Sequence, residues 1–92
     1  MTAGYRILLT ERARKDLKKL PHDVWLRFDE AFVGLSHLED PRAGVKRLRG
    51  TTAVPFYSLR IDSYRAILHI FDDKLVILVV QVKSRNTVYR NL

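Results

Sequence analysis

Two arginines on either side of a short turn are the residues whose spacing points most directly to chemistry. Arg60 and Arg65 flank Asp62-Ser63, a dipeptide of the kind that forms two-residue β-hairpin loops. If it does so here, Arg60 lies directly opposite Arg65 on neighbouring strands, where like charges repel unless an anion lies between them. The spacing therefore predicts a site for a polyanion, which we expect to be RNA. The alternative is that both side chains extend into solvent or pair with Asp62.

Further basic residues and a tyrosine extend this candidate site. Arg85 follows the last predicted strand and would meet Arg60 and Arg65 at one end of the sheet, offering planar bidentate contacts to phosphate. Tyr89 reaches the same region if the tail folds back, and otherwise covers the core. The remaining basic candidates for RNA contacts are Lys46, Arg47, Arg49 and Lys83. For at least one of the first three, ordinary solvated charge is the alternative.

The net charge of +7 is carried by one half of the chain. Residues 1–40 contain seven Lys/Arg and seven Asp/Glu, whereas residues 41–92 contain ten and three. Attraction to phosphates supplies most non-specific affinity for nucleic acid, so a one-sided basic domain is a candidate RNA binder. An acidic protein partner would satisfy the same numbers.

The composition excludes several other classes of protein. The 92 residues suit a single domain, 1–92, and the absence of cysteine rules out disulfides and thiolate metal sites, which favours a cytoplasmic location. Residues 1–10 are too short and polar for a signal peptide, and the apolar run 75–82 is too short for a membrane helix. No metal-ligand cluster or glycine-rich phosphate loop is present, so we expect no metal and no cofactor. His69 falls near the arginines, but a lone strand histidine is more often structural.

The hydrophobic pattern predicts an α+β fold. Tyr5–Leu9 reads as a strand, Thr10 as the N-cap of a helix that Pro21 ends, and 21–40 as a second helix. After Gly44 the predicted strands are Val45–Arg49, Val54–Ile61, Tyr64–Phe71 and Leu75–Lys83, with Asp72-Asp73 as a second two-residue loop. The short strand at 45–49 aside, the order is β-α-α-β-β-β, with two antiparallel helices packed on one face of a mainly antiparallel sheet.

Alternation along the strands assigns two faces to this sheet. The apolar set suited to covering by the helices is Tyr57, Leu59, Ile61, Tyr64, Ala66, Leu68 and Ile70. The opposite set mixes aromatic, aliphatic and cationic side chains: Phe56, Ser58, Arg60, Arg65, Ile67, His69 and Phe71. Apart from Gln81, the run 75–82 of the last strand is apolar on both sides, as a central strand should be, and the first strand is its expected neighbour.

Nearly the whole chain resembles the RelE/ParE superfamily of toxins from toxin–antitoxin pairs, and within it the RelE branch of ribosome-dependent mRNA endonucleases. The resemblance is carried by Glu11-Arg12-Ala13, Asp16-Leu17-Lys18-Lys19-Leu20-Pro21, Lys46-Arg47-Leu48-Arg49-Gly50, Tyr57-Ser58-Leu59-Arg60-Ile61, Tyr64-Arg65-Ala66-Ile67, Val82-Lys83-Ser84-Arg85 and Val88-Tyr89. The Lys/Arg-Leu-Arg-Gly and Tyr-Arg elements, in this order and spacing, are more specific for the superfamily than for the activity.

The resemblance implies catalytic roles for three residues. Arg65 would bind the scissile phosphate, Arg85 would stabilise the transition state, and Tyr89 would contact or activate the reacting nucleotide. It also implies an acidic, RelB-like antitoxin partner and mRNA presented in the ribosomal decoding site. The chain departs from the family pattern at Ser58, where a lysine is expected, which removes one phosphate-binding or acid/base group.

Two other functions remain open at this stage. A ParE-like protein would inhibit a DNA topoisomerase by binding it, without nuclease chemistry, although that branch generally lacks the arginine and tyrosine set. A relative that binds RNA but cleaves it weakly is the third hypothesis, and Ser58 is the residue that motivates it.

Overall fold

The computed structural model describes residues 4–50 and 53–84. Its strands are β1 (Arg6–Leu9), β2 (Lys46–Arg47), β3 (Tyr57–Ile61), β4 (Tyr64–Phe71) and β5 (Val76–Ser84). Its helices are α1 (Glu11–Lys18), α2 (His22–His37) and a 3₁₀ turn at Pro41–Gly44. The α+β prediction is confirmed. Neither α-helix of the described part has the length and hydrophobicity of a membrane-spanning segment.

The five strands form one sheet in the order β1-β5-β4-β3-β2. All neighbours are antiparallel except β1, which pairs with β5 in parallel, with Ile7 opposite Ile77. The predicted central position of β5 beside the first strand is therefore confirmed. The predicted strand at 45–49 is reduced to two paired residues, and β3 begins at Tyr57 rather than at residue 54.

The ends of the two helices follow from their capping residues. The Thr10 hydroxyl accepts a hydrogen bond from the Ala13 amide at 3.0 Å, which satisfies one of the free donors at the start of α1. This helix ends at Lys18, two residues before Leu20, because the residue that precedes Pro21 is disfavoured in helical conformation. Pro21 then occupies the N-cap position of α2.

The hydrophobic core lies between the helices and one face of the sheet. Its helical side chains are Ala13, Leu17, Val24, Phe28, Phe32 and Leu35. Its strand side chains are Tyr57, Ala66, Leu68, Ile70, Ile77, Val79 and Val82. The strand set agrees with the predicted apolar face of the sheet. We call the face away from the helices the open face.

The hairpin between β3 and β4 has the predicted register. Asp62 and Ser63 form the turn, Ile61 pairs with Tyr64, and Arg60 pairs with Arg65. Asp62 has a φ of 52°, in the left-handed region that aspartate tolerates better than most non-glycine residues. The turn therefore forms without the glycine that such loops prefer.

The second predicted two-residue loop is wrong, because the turn between β4 and β5 spans four residues, 72–75. Leu75 belongs to this turn, with a φ of 52°, and does not begin the strand. Its carbonyl accepts a hydrogen bond from the Arg6 amide at 2.8 Å, which joins the turn to the start of β1.

A β-bulge changes the facing of the last strand. Ile67 pairs with Gln81 and Leu68 with Val79, so Val80 is an extra residue in β5. Before the bulge, odd-numbered residues of β5 such as Val79 lie in the core. After the bulge, the even-numbered Val82 lies in the core instead. Without the extra residue, Lys83 would continue the odd-numbered series into the core. The bulge therefore places Lys83 on the open face.

A polar cluster ties the first strand to the far end of the sheet. The Arg42 guanidinium donates to both carboxylate oxygens of Asp72, at 3.0 and 2.9 Å, and to the Tyr57 hydroxyl at 3.1 Å. The Tyr5 hydroxyl donates to Asp72 at 2.7 Å. Hydrogen bonds from Arg42 and then from Tyr5 hold the pKa of the Asp72 carboxyl below its usual value.

This cluster predicts a pH-dependent contribution to stability. Since the folded-state pKa of Asp72 is lower than the unfolded-state value, its stabilisation is present above the unfolded pKa and is lost as pH falls through the folded pKa. We expect Asp72→Asn to lower the melting temperature at neutral pH, and the gap from the wild type to narrow in acid. Thermal melts across the acid range measure this, and a gap that stayed constant would contradict it.

Candidate nucleic-acid interface

Three cationic side chains cross the open face of the sheet in a single line. Arg60 pairs with Arg65, and Arg65 pairs on its other side with Lys83. Side chains directly opposite each other on neighbouring strands have Cβ atoms about 5 Å apart. All three residues are exposed. We call this set the cation row.

The cation row has no counter-ions among the described residues. Asp62, the nearest acid in sequence, forms its ion pair with Arg27 of α2 at 2.6 Å, so it does not neutralise Arg60 or Arg65. The other ion pairs of the described chain involve Arg12, Lys15 and Arg42. The positive charges of the row are therefore close together and available to an external anion.

A shallow depression of about 430 Å³ adjoins the row. Arg60 and Arg65 line one side of it, and Ser58 lies within its lining although only 7% of the serine is exposed. Lys46 of β2 pairs directly with Ser58 and also lines the depression. A lysine on the edge strand thus stands beside the position where the resemblance leads us to expect one on β3.

The other predicted site residues fall into two groups. Arg47 pairs with Tyr57, whose side chain is in the core, so Arg47 lies on the opposite face of the edge strand from Lys46. Arg49 follows β2 in an irregular, exposed stretch and is not part of the row. Arg85 and Tyr89, predicted as catalytic, lie outside the described residues.

An aromatic cluster on the open face was not recognised as a possible binding surface from the sequence. His69 lies 4.2 Å from Phe56 and 5.7 Å from Phe71, measured between ring centroids. Its Nδ1 is 2.9 Å from the Pro55 carbonyl, and since a carbonyl only accepts hydrogen bonds, Nδ1 carries the proton. The alternation of β4 had placed His69 and Phe71 on this face, but their mutual packing depends on tertiary structure.

The described residues of the row offer charge stabilisation. No group of three His, Asp or Glu side chains within 4–50 and 53–84 could hold a metal ion. His69 lies two positions past the Ile67–Ser58 pair along β4, on the side away from the cation row. Its Nδ1 is hydrogen-bonded to the Pro55 carbonyl. The arrangement is suited to binding a phosphate and stabilising negative charge on it.

Comparisons with known proteins identify the family of the chain. A model of the family described as ParE toxin of type II toxin–antitoxin system, parDE, matches residues 7–89. The mRNA interferase toxin RelE of Escherichia coli is 32% identical over 88 residues, which cover 94% of this chain and 90% of that protein. Toxin RelG of Mycobacterium tuberculosis is 34% identical over 86 residues, covering 94% and 97%.

The fold comparison reaches the same group of proteins. The crystal structure of the toxin–antitoxin complex RelBE2 from Mycobacterium tuberculosis contains a chain that matches this one with a TM-score of 0.76 and 31% identity. The match covers 92% of this chain and 95% of that chain. Sequence family, relatives and fold together show that the chain belongs to the RelE/ParE superfamily of type II toxins, as a toxin of the RelE type.

Proposed function

We propose that this toxin is an endoribonuclease that cleaves mRNA on the ribosome, and that the cation row holds the scissile phosphate. The observation that supports the proposal most strongly is the line of Arg60, Arg65 and Lys83 across the open face, without counter-ions among the described residues. Relatives that are about a third identical are named mRNA interferases, which agrees with an RNA substrate.

The proposed reaction is attack of an RNA 2′-hydroxyl on the adjacent phosphorus. The 2′-oxygen loses its proton as the new O–P bond forms, and the bond to the 5′-oxygen breaks as that oxygen gains a proton. The products are a 2′,3′-cyclic phosphate and a 5′-hydroxyl end. Negative charge builds up on the phosphoryl oxygens in between, and Arg65, with Arg60 beside it, stabilises that charge.

The cation row is better suited to stabilising negative charge than to transferring protons. Arginine stays protonated throughout the physiological pH range, so it does not exchange protons readily. Arg85 and Tyr89 remain our candidates for transition-state stabilisation and for contact with the reacting nucleotide. The ribosome would orient the mRNA, and correct orientation alone can raise a reaction rate by many orders of magnitude, which would make up for missing catalytic groups. We therefore expect the purified toxin to cleave free RNA poorly.

Primer extension on mRNA after induced expression tests the proposal. Wild-type toxin should produce cut transcripts with rapid arrest of translation, and Arg65→Ala and Tyr89→Phe should each reduce the cuts. Unchanged cleavage in both variants would remove the site assignment.

A topoisomerase inhibitor is the second candidate function, and the match to the ParE family model is the observation that favours it. Its signature is DNA damage without cut transcripts after expression. A relative that has lost activity would give no growth effect at all. The same induced cultures therefore separate the three functions.

Lys46 is expected to compensate in part for the serine at position 58. Lys46 lines the same depression as Arg60 and Arg65, so its ammonium should contact a phosphate of the bound strand. We predict that Lys46→Ala weakens RNA binding to a similar extent for all sequences and lowers the slope of log affinity against log salt by about 1. Titrations at several salt concentrations measure the slope, with Lys19→Ala, at the exposed C-cap position directly after α1, as the control. An unchanged slope would exclude a phosphate contact by Lys46.

We also propose an acidic, RelB-like antitoxin as the protein partner. The mycobacterial neighbour was crystallised as a toxin–antitoxin complex, and the +7 charge of this chain suits an acidic partner. We predict that the antitoxin covers or distorts the face that carries the cation row. A structure of the complex would show this, and an antitoxin that left both the row and the tail after residue 84 untouched would contradict it.

A further inference from the structure

We infer that the aromatic cluster of Phe56, His69 and Phe71 is a stacking platform for one nucleobase of the bound RNA strand. This inference rests on the proposed function, because it takes the cation row as the place where the backbone of that strand is held. It adds a contact that senses a base, whereas the row senses only phosphate.

The position of the cluster makes it reachable from the row. His69 lies four residues from Arg65 on the same strand, and side chains at even spacing share one face of a strand. Four residues of antiparallel strand span about 14 Å. Between Arg65 and His69 on this face lies Ile67, paired with Ser58 on one side and with Gln81 on the other. None of these three side chains is charged, and a single strand held at the row would cross them to reach the rings.

The three rings are arranged as a surface that a nucleobase can contact, and they are not enclosed in the hydrophobic core. All three residues are half-buried, so they are neither enclosed in the core nor fully exposed. The Nδ1 hydrogen bond to Pro55 fixes the plane of His69 and leaves Nε2 as the nitrogen not engaged with that carbonyl. Both α1 and α2 pack on the opposite side of the sheet, so neither covers the cluster.

The surrounding charges favour nucleic acid as the occupant. Lys74 places its ammonium 5.9 Å from the centre of the Phe71 ring, at the end of the cluster away from the cation row. Among the described strand residues on the open face, none is acidic. Aromatic rings between cations are the arrangement by which proteins bind single-stranded nucleic acid, because every base has a flat face and every nucleotide a phosphate.

The test uses an uncleavable 2′-O-methyl oligonucleotide in which one abasic position is moved along the strand, with affinity read by fluorescence anisotropy. For the wild-type toxin, one position of the scan should weaken binding about tenfold, the scale of one base–aromatic stack. Phe56→Leu should weaken the intact oligonucleotide by a similar factor. Combining that variant with the sensitive abasic position should then give no further loss, since both changes remove one contact.

Two further variants distinguish the loss of a stacking contact from a folding defect. Leu8→Ala, on the same open face and 43% exposed, should leave affinity unchanged. Phe56→Trp enlarges the stacking surface and should bind at least as tightly as the wild type. Strong binding with equal losses at all abasic positions, or fully additive losses, would overturn the platform and leave the cation row in place. Absence of binding by the wild type at low salt would overturn both.

Discussion

Replacing Arg65 with alanine is expected to lower mRNA cleavage at least about a hundredfold, the usual effect of removing one group that stabilises a transition-state charge. Arg65 is the central member of the cation row, paired with Arg60 on one side and Lys83 on the other. It is exposed and makes no ion pair among the described residues, so its loss should not unfold the protein. Quantitative primer extension at fixed toxin level measures the effect.

The matched control is another exposed arginine replaced in the same way. Arg12→Ala on α1 removes only a long ion pair, at 3.8 Å, between the exposed Arg12 guanidinium and Asp16 four residues along the helix, an interaction worth little. It should cleave as the wild type does. If Arg12→Ala and Arg65→Ala lowered cleavage equally, the effect would come from general loss of positive charge rather than from the row.

The second large effect is expected from Phe28→Ala. Phe28 is fully buried beneath the sheet and packs on Phe32, with 5.8 Å between ring centroids. Truncating such a side chain typically costs about 3–5 kcal/mol, through lost burial and the cavity that remains. A domain of this size has a total stability near the low end of about 5–15 kcal/mol, so most of it would be lost. Urea denaturation of the purified protein measures the free energy of unfolding.

The two substitutions should therefore affect different properties of the protein, the first its activity and the second its stability. Arg65→Ala should give a stable, inactive protein, whereas Phe28→Ala should give a protein that is scarce because it unfolds. Leu26→Ala, on the same helix but 41% exposed, is the control for the second and should change stability by less than about 1 kcal/mol. A Phe28→Ala protein as stable as the Leu26→Ala protein would show that this part of the core is assigned wrongly.

The pairing of Arg60 with Arg65 was predictable from the sequence because a two-residue loop leaves one register. Asp62 and Ser63 are short, turn-forming residues, and the alternating apolar positions on both sides agree with only one choice of faces. Most of the core followed from the same periodicity, since each helix has one apolar stripe and strands β3 and β4 each have one apolar face.

The face on which Lys83 lies was harder to predict from the sequence, because it depends on the bulge. Apart from Gln81, the run 75–82 is apolar on both sides, and such a run gives no regular alternation from which the extra residue at Val80 can be located. The pairing of Asp62 with Arg27 was also hidden, since these residues are far apart in sequence and an exposed ion pair leaves no periodic signal.

The turn after β4 shows a similar limit of local reasoning. Asp72 and Asp73 have the composition of a tight turn, but Asp72 is bound by Arg42 and Tyr5, and the turn extends to Leu75, which bonds to β1. These contacts come from segments distant in the chain. The polar cluster, like the packing of the aromatic rings, was therefore visible only in the folded structure.

Everything in the proposed function depends on RNA meeting the open face at the cation row. The most direct measurement is the NMR spectrum of ¹⁵N-labelled toxin titrated with an uncleavable single-stranded oligonucleotide, read at the backbone amides and arginine Nε–H groups. We predict the largest shift changes at Arg60, Arg65 and Lys83, with the outer surface of α2 unaffected. Saturable binding that shifted signals of the helices and left those three residues unchanged would contradict the account.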